Sequence, residues 1–356
     1  MNDVSDINGK NVIKYAGAFM AWVIGSGFAT GQEILQFFSS FGYFSYIEIL
    51  INLAGFLLVG TALLKAGYDN KDVKDFNHFK YFCGEKLGGF YSWCIPVTLL
   101  LVMSVLNSGA GATLSEYYGI NHYIGAALMA GMVLLAYLAG FDNLVRIVSL
   151  IAPAIIVFSL FVGAYTVVRD FGHMADINSY QPVLSKSQNS PSWIISGILY
   201  IPLQFLCGST YFTALGASAD NRNDARWGAI TGSVALILSI AVMSTAILLN
   251  GGNTAALAIP TLFLAKKISY VLGAFFSIFL ILGIFSSCAA MMWSVCSFFT
   301  SAGVKHRKIL ATGIAALTFL LGLCSFSGLV GMLYPLIGCL GLIFVACVLS
   351  KRKSLP

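Results

Sequence analysis

The sequence predicts an all-α polytopic membrane protein of ten transmembrane helices, built as two five-helix halves of opposite orientation with the first helix of each half interrupted. Three observations lead there. The 356 residues are 58% hydrophobic and only 10% charged, where a soluble domain carries roughly 25% charge. Ten apolar runs of about 18 residues or more, the length needed to cross a bilayer, follow one another between polar segments. The first and sixth runs carry glycine and serine near mid-span, where a helix is hard to sustain.

Taken in order, the spans run over residues 12–38, 44–64, 90–114, 123–140, 144–168, 193–216, 227–249, 268–300, 309–326 and 328–349. The polar N-terminus is followed by an apolar run too long for a signal-peptide core, with no small-residue cleavage site, and is expected to be retained. A lysine-rich segment, 65–89, separates spans 2 and 3, and a connection with Pro182 and Pro191, 169–192, separates spans 5 and 6. The semi-polar stretch 250–267 is expected to hold a short surface helix. Of the 20 Lys and Arg residues, all but Arg169, Lys186, Lys266 and Lys267 fall on the side that holds both termini. The positive-inside rule makes that side cytoplasmic. The expected location is therefore a bacterial cytoplasmic membrane, with basic loops near anionic lipid. The net charge of +6 follows from this topology, and no nucleic-acid partner is implied. No obligate protein partner is expected either.

An enzyme is not expected. The eight cysteines mostly lie inside apolar runs and form no CxxC pair or Cys/His cluster, so no metal cofactor is called for. A Walker A motif is missing, which argues against ATP-driven pumping.

The segment 169–192 divides the chain into halves of five spans each, 11–168 and 193–350. Five is odd, so the halves face opposite ways, the arithmetic of an inverted repeat. Span 1 contains Gly25-Ser26-Gly27-Phe28-Ala29-Thr30-Gly31-Gln32-Glu33, and span 6 contains Cys207-Gly208-Ser209-Thr210 with Pro202 upstream. Peptide groups that leave a helix inside lipid must be satisfied by protein, water or a ligand. Paired interruptions in the two halves are the best sequence pointer to a central binding site.

The span-1 string, ending in Gln32-Glu33 within a ten-span chain, resembles the signature of the YkvI family of bacterial amino-acid permeases. Its Gly-Ser-Gly element is similar to that of the wider amino acid–polyamine–cation superfamily. The resemblance implies the LeuT-type fold, with spans 1 and 6 unwound around the substrate, and an alternating-access secondary transporter of an amino acid or related zwitterion. It implies that the peptide N–H groups of Ser26, Gly27 and Phe28, with Gly25 beside them, hold the substrate carboxylate. The dipole of a half-helix starting near Gly27 suits the same anion, while the carbonyl end near Ile24 suits a cation. Around Cys207, Gly208 and Ser209, span 6 is expected to supply the matching pair.

Sodium is the expected coupling ion. In sodium-coupled members of this fold, a hydroxyl pair on span 8 faces span-1 carbonyls; here these are Ser286 and Ser287 with Ala21 and Ile24. Oxygen ligands suit a hard cation. The lysine that some proton-coupled relatives place on span 5 is missing, with only Arg146 near its end. The LeuT-type fold also sets span 3 beside the substrate, so Asn107 and Ser108 are candidates to line the site. Glu33 lies about 9 Å along the axis from Gly27, a depth at which an ionisable group is a functional candidate. It is expected to gate the site or carry a proton, and Tyr200 and Gln204, sharing one face of span 6, to close the site from outside. Glu48 and Glu116, nearer span ends, are expected at the interface. The alternatives are a proton-coupled permease using Glu33 and a non-transporting amino-acid sensor of the same fold. A metal-ion carrier would show an Asp-Pro-Gly element in span 1, which is missing.

Overall fold

The computed structural model describes residues 7–24, 26–140, 142–301 and 306–353. Gly25 and Lys305 lie outside them, as do the side chains of Ser26 and Arg146. The described residues contain helices and turns and no strand.

The first expected span is three short pieces, α1 (Gly9–Val23), α2 (Ser26–Thr30) and α3 (Gln32–Phe37). A 3-10 turn, Ser39–Phe44, leads into α4 (Ser45–Asp69). Then come α5 (His78–Tyr118), α6 (His122–Ala139) and α7 (Asp142–Asp170). The connection 169–192 is itself largely helical, with α8 (Ile177–Leu184) between two 3-10 turns. The second half holds α9 (Trp193–Ala217), α10 (Arg222–Leu249), α11 (Gly251–Thr254), α12 (Pro260–Ile268), α13 (Tyr270–Ser301), α14 (Arg307–Leu321) and α15 (Phe326–Lys353). Eight of the described helices are long and apolar enough to cross a membrane. Expected spans 1 and 9 correspond to the α1–α3 tract and to α14, which has 15 residues.

The lysine-rich segment after α4 reads as a polar connection, yet α5 begins inside it. Asn77 caps the helix, its side chain accepting the Lys80 N–H at 3.0 Å, the usual remedy for an orphan amide. Phe79 and Phe82 are buried there, which gives that first turn an apolar anchor. Gly84, at φ 75°, then kinks the helix.

Span 1 breaks twice, and the second break is Gly31. Its φ of 78° ends α2 and starts α3, a conformation costly for any residue with a Cβ. Thr30 returns its hydroxyl to the Gly27 carbonyl at 2.7 Å, satisfying one group that so short a helix leaves bare. Span 6 differs from expectation, since α9 runs unbroken from Trp193 to Ala217. Two hydroxyls near the expected break return to the helix's own backbone: Ser209 donates to Leu206 O at 3.0 Å and Thr213 to Ser209 O at 2.8 Å. Gly208 serves close approach instead, because a Cβ there would overlap the indole of Trp22.

The core runs along α4, α9 and α10, with α1 laid across α9 and α10 and α15 against α9 and α5. Phe19, Phe56, Phe205 and Phe212 form its aromatic column, with ring centroids as close as 4.7 Å. Glu48 is a correction: expected at the interface, it is fully buried on α4 against Gly197 of α9. The missing side chain at Gly197 leaves room for its stem. Asn52, one turn on, donates to both Glu48 O and Gly197 O.

Candidate functional site

A cavity of about 1300 Å³ enters the bundle. Its mouth lies on the face that carries the start of α1, where Ile13 and Lys14 meet the α4–α5 connection at Asp75 and Asn77. Its inner end is formed by Gly27, Glu33, Gln204 and Tyr334. The walls come from α1 (Ala21, Trp22), α5 (Leu99, Val102), α9 (Leu203, Cys207) and α13 (Ser286, Ser287).

Glu33 lies in the first turn of α3 and is 3% exposed. Gln204, reaching from α9, donates its Nε2 to Oε1 at 2.5 Å. The other oxygen, Oε2, points at Gly27, where a Cβ would overlap it and stand 3.5 Å from the Tyr334 hydroxyl. Gly27 is therefore glycine for space. Tyr200 lies beside the same carboxylate on the side away from the mouth, packed against Phe37 and Phe38 at 5.3 and 5.0 Å. Among the described residues its buried hydroxyl has no hydrogen-bond partner of good geometry.

Beyond Glu33 the path is closed. Thr30, Gln32, Gln36 and Ser39 are all at most 4% exposed. The stretch 250–267, expected to hold a surface helix, instead sends α12 inward as a plug, with Thr261, Leu262 and Leu264 buried. Thr261 donates to the Ala29 carbonyl of α2 at 2.5 Å, and Gly31 has no side chain to obstruct it. Glu116 holds the entrance of α12, its two oxygens accepting the Ala258 and Ile259 N–H groups at 2.7 and 3.1 Å. At the other end, Lys267 reaches Asp170 at 2.9 Å. Thr261→Val removes one buried hydrogen bond, worth about 1 kcal/mol, between α12 and α2. Hydrogen exchange of the α2 and α12 amides should speed up roughly fivefold, with those of α10 unchanged.

Of the residues singled out in the sequence, Ala21, Gly27, Glu33, Gln204, Cys207, Ser286 and Ser287 meet around this cavity. Neither Ser286 nor Ser287 donates to its own helix, unlike Ser277 and Ser294 on the same rod, which bond the Ala274 and Ala290 carbonyls. Ile24 caps α1, its N–H on Met20 O at 2.8 Å. The expectation fails on span 3. Asn107 donates to Thr318 on α14 at 3.2 Å and Ser108 to Cys324 O, in the connection after α14, at 2.7 Å, so that polar face holds α14 and its connection to α15, and apolar residues of α5 such as Leu99 and Val102 line the cavity. Phe28 and Ser209 also turn away from it. Phe28 is wholly buried, and Ser209 pairs with His78 Nε2 at 3.0 Å.

Three lining aromatics escape a reading of the sequence. Trp22 and Tyr211 stack at 5.1 Å on the wall, the Tyr211 hydroxyl donating to Ala18 O at 2.9 Å, and Tyr334 faces Gly27. Their signal is a polar-tipped ring in mid-span, weak in a chain with 27 Phe and 16 Tyr.

The fold of the described helices is shared with solved membrane transporters of the LeuT type. MhsT in complex with L-phenylalanine superposes with a TM-score of 0.66 at 13% identity, over 95% of this chain and 88% of that one. A mutant of the Eremococcus coleocola manganese transporter gives 0.63 at 15% identity, over 98% and 81%. In sequence, the chain is similar to the uncharacterized membrane protein YkvI of Bacillus subtilis, 24% identical over 95% of both chains. It is also similar to the uncharacterized protein YyaD of the same organism, 22% identical over 96% of this chain and 98% of that one. The YkvI resemblance carried by the span-1 string thus extends along the whole chain. No protein-family model matches it.

Proposed function

We propose that this protein is a secondary active transporter of an amino acid or related zwitterion, working by alternating access with sodium as the coupling ion. The observation that carries the reading is a cavity open at one face, ending at the α1–α2 break and sealed beyond it by α12. In this reading the arrangement is inward-facing, both termini are cytoplasmic, and the α1–α3 tract and α14 complete ten spans. Residues 11–168 and 193–350 form the two inverted halves, joined by 169–192. The peptide groups at Ser26, Gly27 and Phe28 face the substrate carboxylate. L-phenylalanine in MhsT supports an amino acid as cargo on a shared fold.

Sodium would be held by Ser286 and Ser287 with carbonyls near Ala21 and Ile24. The support is that both hydroxyls line the cavity and neither is used by its own helix. Ser287→Ala should raise the sodium concentration for half-maximal uptake about tenfold, the loss of one ion-directed ligand of ~1.5 kcal/mol. Ser104→Ala, whose hydroxyl bonds Leu100 O at 2.9 Å away from the cavity, should leave it unchanged.

The deciding experiment is uptake of radiolabelled amino acids into proteoliposomes with and without a sodium gradient. Accumulation that follows sodium supports the reading. Accumulation that follows pH alone would replace sodium by a proton, with Glu33 as carrier. Binding without accumulation would make the protein a sensor.

A further inference from the structure

Among the described residues, the inner end of the cavity holds a carboxylate and no cationic side chain. Glu33 keeps one oxygen on Gln204, while Oε2 lies against Gly27 in the place that a side chain would take. No ion pair reaches Glu33 among the described residues. The lysine on the cavity wall is Lys14, at the mouth, nine residues before the end of α1 at Val23 and hence about 14 Å down that helix. His78, also on the wall, is engaged by Ser209. The carbonyl end of α1 adds its negative dipole at the same place, since Ala21 and Val23 both line the cavity. The Glu33 carboxylate and the carbonyl end of α1 thus favour positive charge beside the N–H groups that begin α2, and Leu203, Leu106 and Tyr334 line the wall around them.

We propose that Glu33 is the residue that binds the substrate's ammonium group, so that a primary amine is the obligatory feature of the ligand and its carboxylate is secondary. This rests on the transporter reading above and deepens it. An ammonium has three donors. Oε2 takes one, the carbonyls at the end of α1 are suited to the others, and Gln204 keeps the carboxylate turned toward the ligand. A charge-assisted bond of this kind to a buried carboxylate discriminates strongly, because an analogue without the donor leaves the carboxylate unpaired.

The test is a thermal-shift panel on the full-length purified protein. It contains the twenty amino acids, the decarboxylated amine of each, and the matching α-hydroxy acids, each in sodium and in potassium. Where an amino acid stabilises the protein, its amine should also do so and its hydroxy acid should not. Glu33→Gln should weaken amino acid and amine alike, by about ten- to a hundredfold, and Glu33→Asp should recover part of that loss. Hydroxy acids that stabilise as well as amino acids, or Glu33→Gln binding within twofold of the parent, would overturn the assignment and leave the transporter reading standing. A shift from sodium alone that disappears in Glu33→Gln would give the carboxylate to the metal cation and likewise overturn it. Silence from all three series in the parent would remove the small-molecule reading together with this one. Should Glu33→Gln fail to fold, Gln204→Leu, which frees the carboxylate to turn, must reproduce the loss for amines.

Discussion

Gly27→Leu should abolish ligand binding and reduce uptake to background while leaving a folded protein. The side-chain direction at residue 27 is already occupied by Glu33 Oε2 and bordered by the Tyr334 hydroxyl. Four added carbons must either push Glu33 off Gln204 or fill the inner end of the cavity, and both remove the place where a ligand would meet the α1–α2 break. The expected loss is at least about a hundredfold in affinity, or ~3 kcal/mol. The structural cost is smaller. The displaced atoms are the flexible end of one side chain and open cavity, so overpacking of about 1–3 kcal/mol is the scale. Gly17 provides the control. It lines the same cavity nearer the mouth, and a Cβ there would meet nothing within 4 Å. Alanine at that position should keep binding and gain up to ~1 kcal/mol of helix propensity. Calorimetric titration of both variants decides the matter: binding by Gly27→Leu within tenfold of the parent would mean that the cavity's inner end is not the ligand site.

Why is Gly27 legible in the sequence when half of the second-half site is not? Apolar length and basic-loop bias are summed over many residues, and the helices fall close to the spans they predict. Gly25-Ser26-Gly27 combines poor helix formers with a nearby carboxylate, Glu33, and α1 ends at Val23, just before them, with α2 starting at Ser26. Gly208-Ser209 shows the same letters and does not break. The difference lies in partners distant in sequence: Trp22 needs the space over Gly208, and Leu206 O and His78 take up the Ser209 hydroxyl. Asn107 and Ser108 mislead for a similar reason. A polar stripe on a membrane helix says that something polar is met, and on α5 it is Thr318 and the Cys324 carbonyl. Gly31 looks in the sequence like part of the first break, yet it makes a second, and only its φ of 78° and the contact with Thr261 reveal it. Glu48 misleads because nearness to a span end does not mean nearness to water, and Gly197 opposite it allows full burial.

Gly216→Ala should destabilise the protein by about 3 kcal/mol or more, and Gly216→Leu should prevent its accumulation. In lipid, helix association rests on close packing between small residues, and α4 meets α9 through a reciprocal pair of glycines. A Cβ on Gly216 would overlap the Leu64 carbonyl of α4, and one on Gly67 would overlap the Thr213 carbonyl of α9. Backbone cannot swing aside as the Glu33 carboxylate can, so even a methyl group must part the two helices. That puts the cost at or above the upper end of ordinary overpacking. Thermal denaturation in detergent, with Gly131→Ala as a control that meets nothing within 4 Å, measures it. Gly67→Ala should act through the same separation, so the double variant should cost clearly less than the sum of the singles. Fully additive losses would show that the two contacts yield independently and that this crossing is softer than its geometry implies. A further consequence reaches the cavity: α9 carries Gln204, and any variant that parts α9 from α4 yet still folds should loosen Glu33 and weaken amine binding in step with the drop in melting temperature.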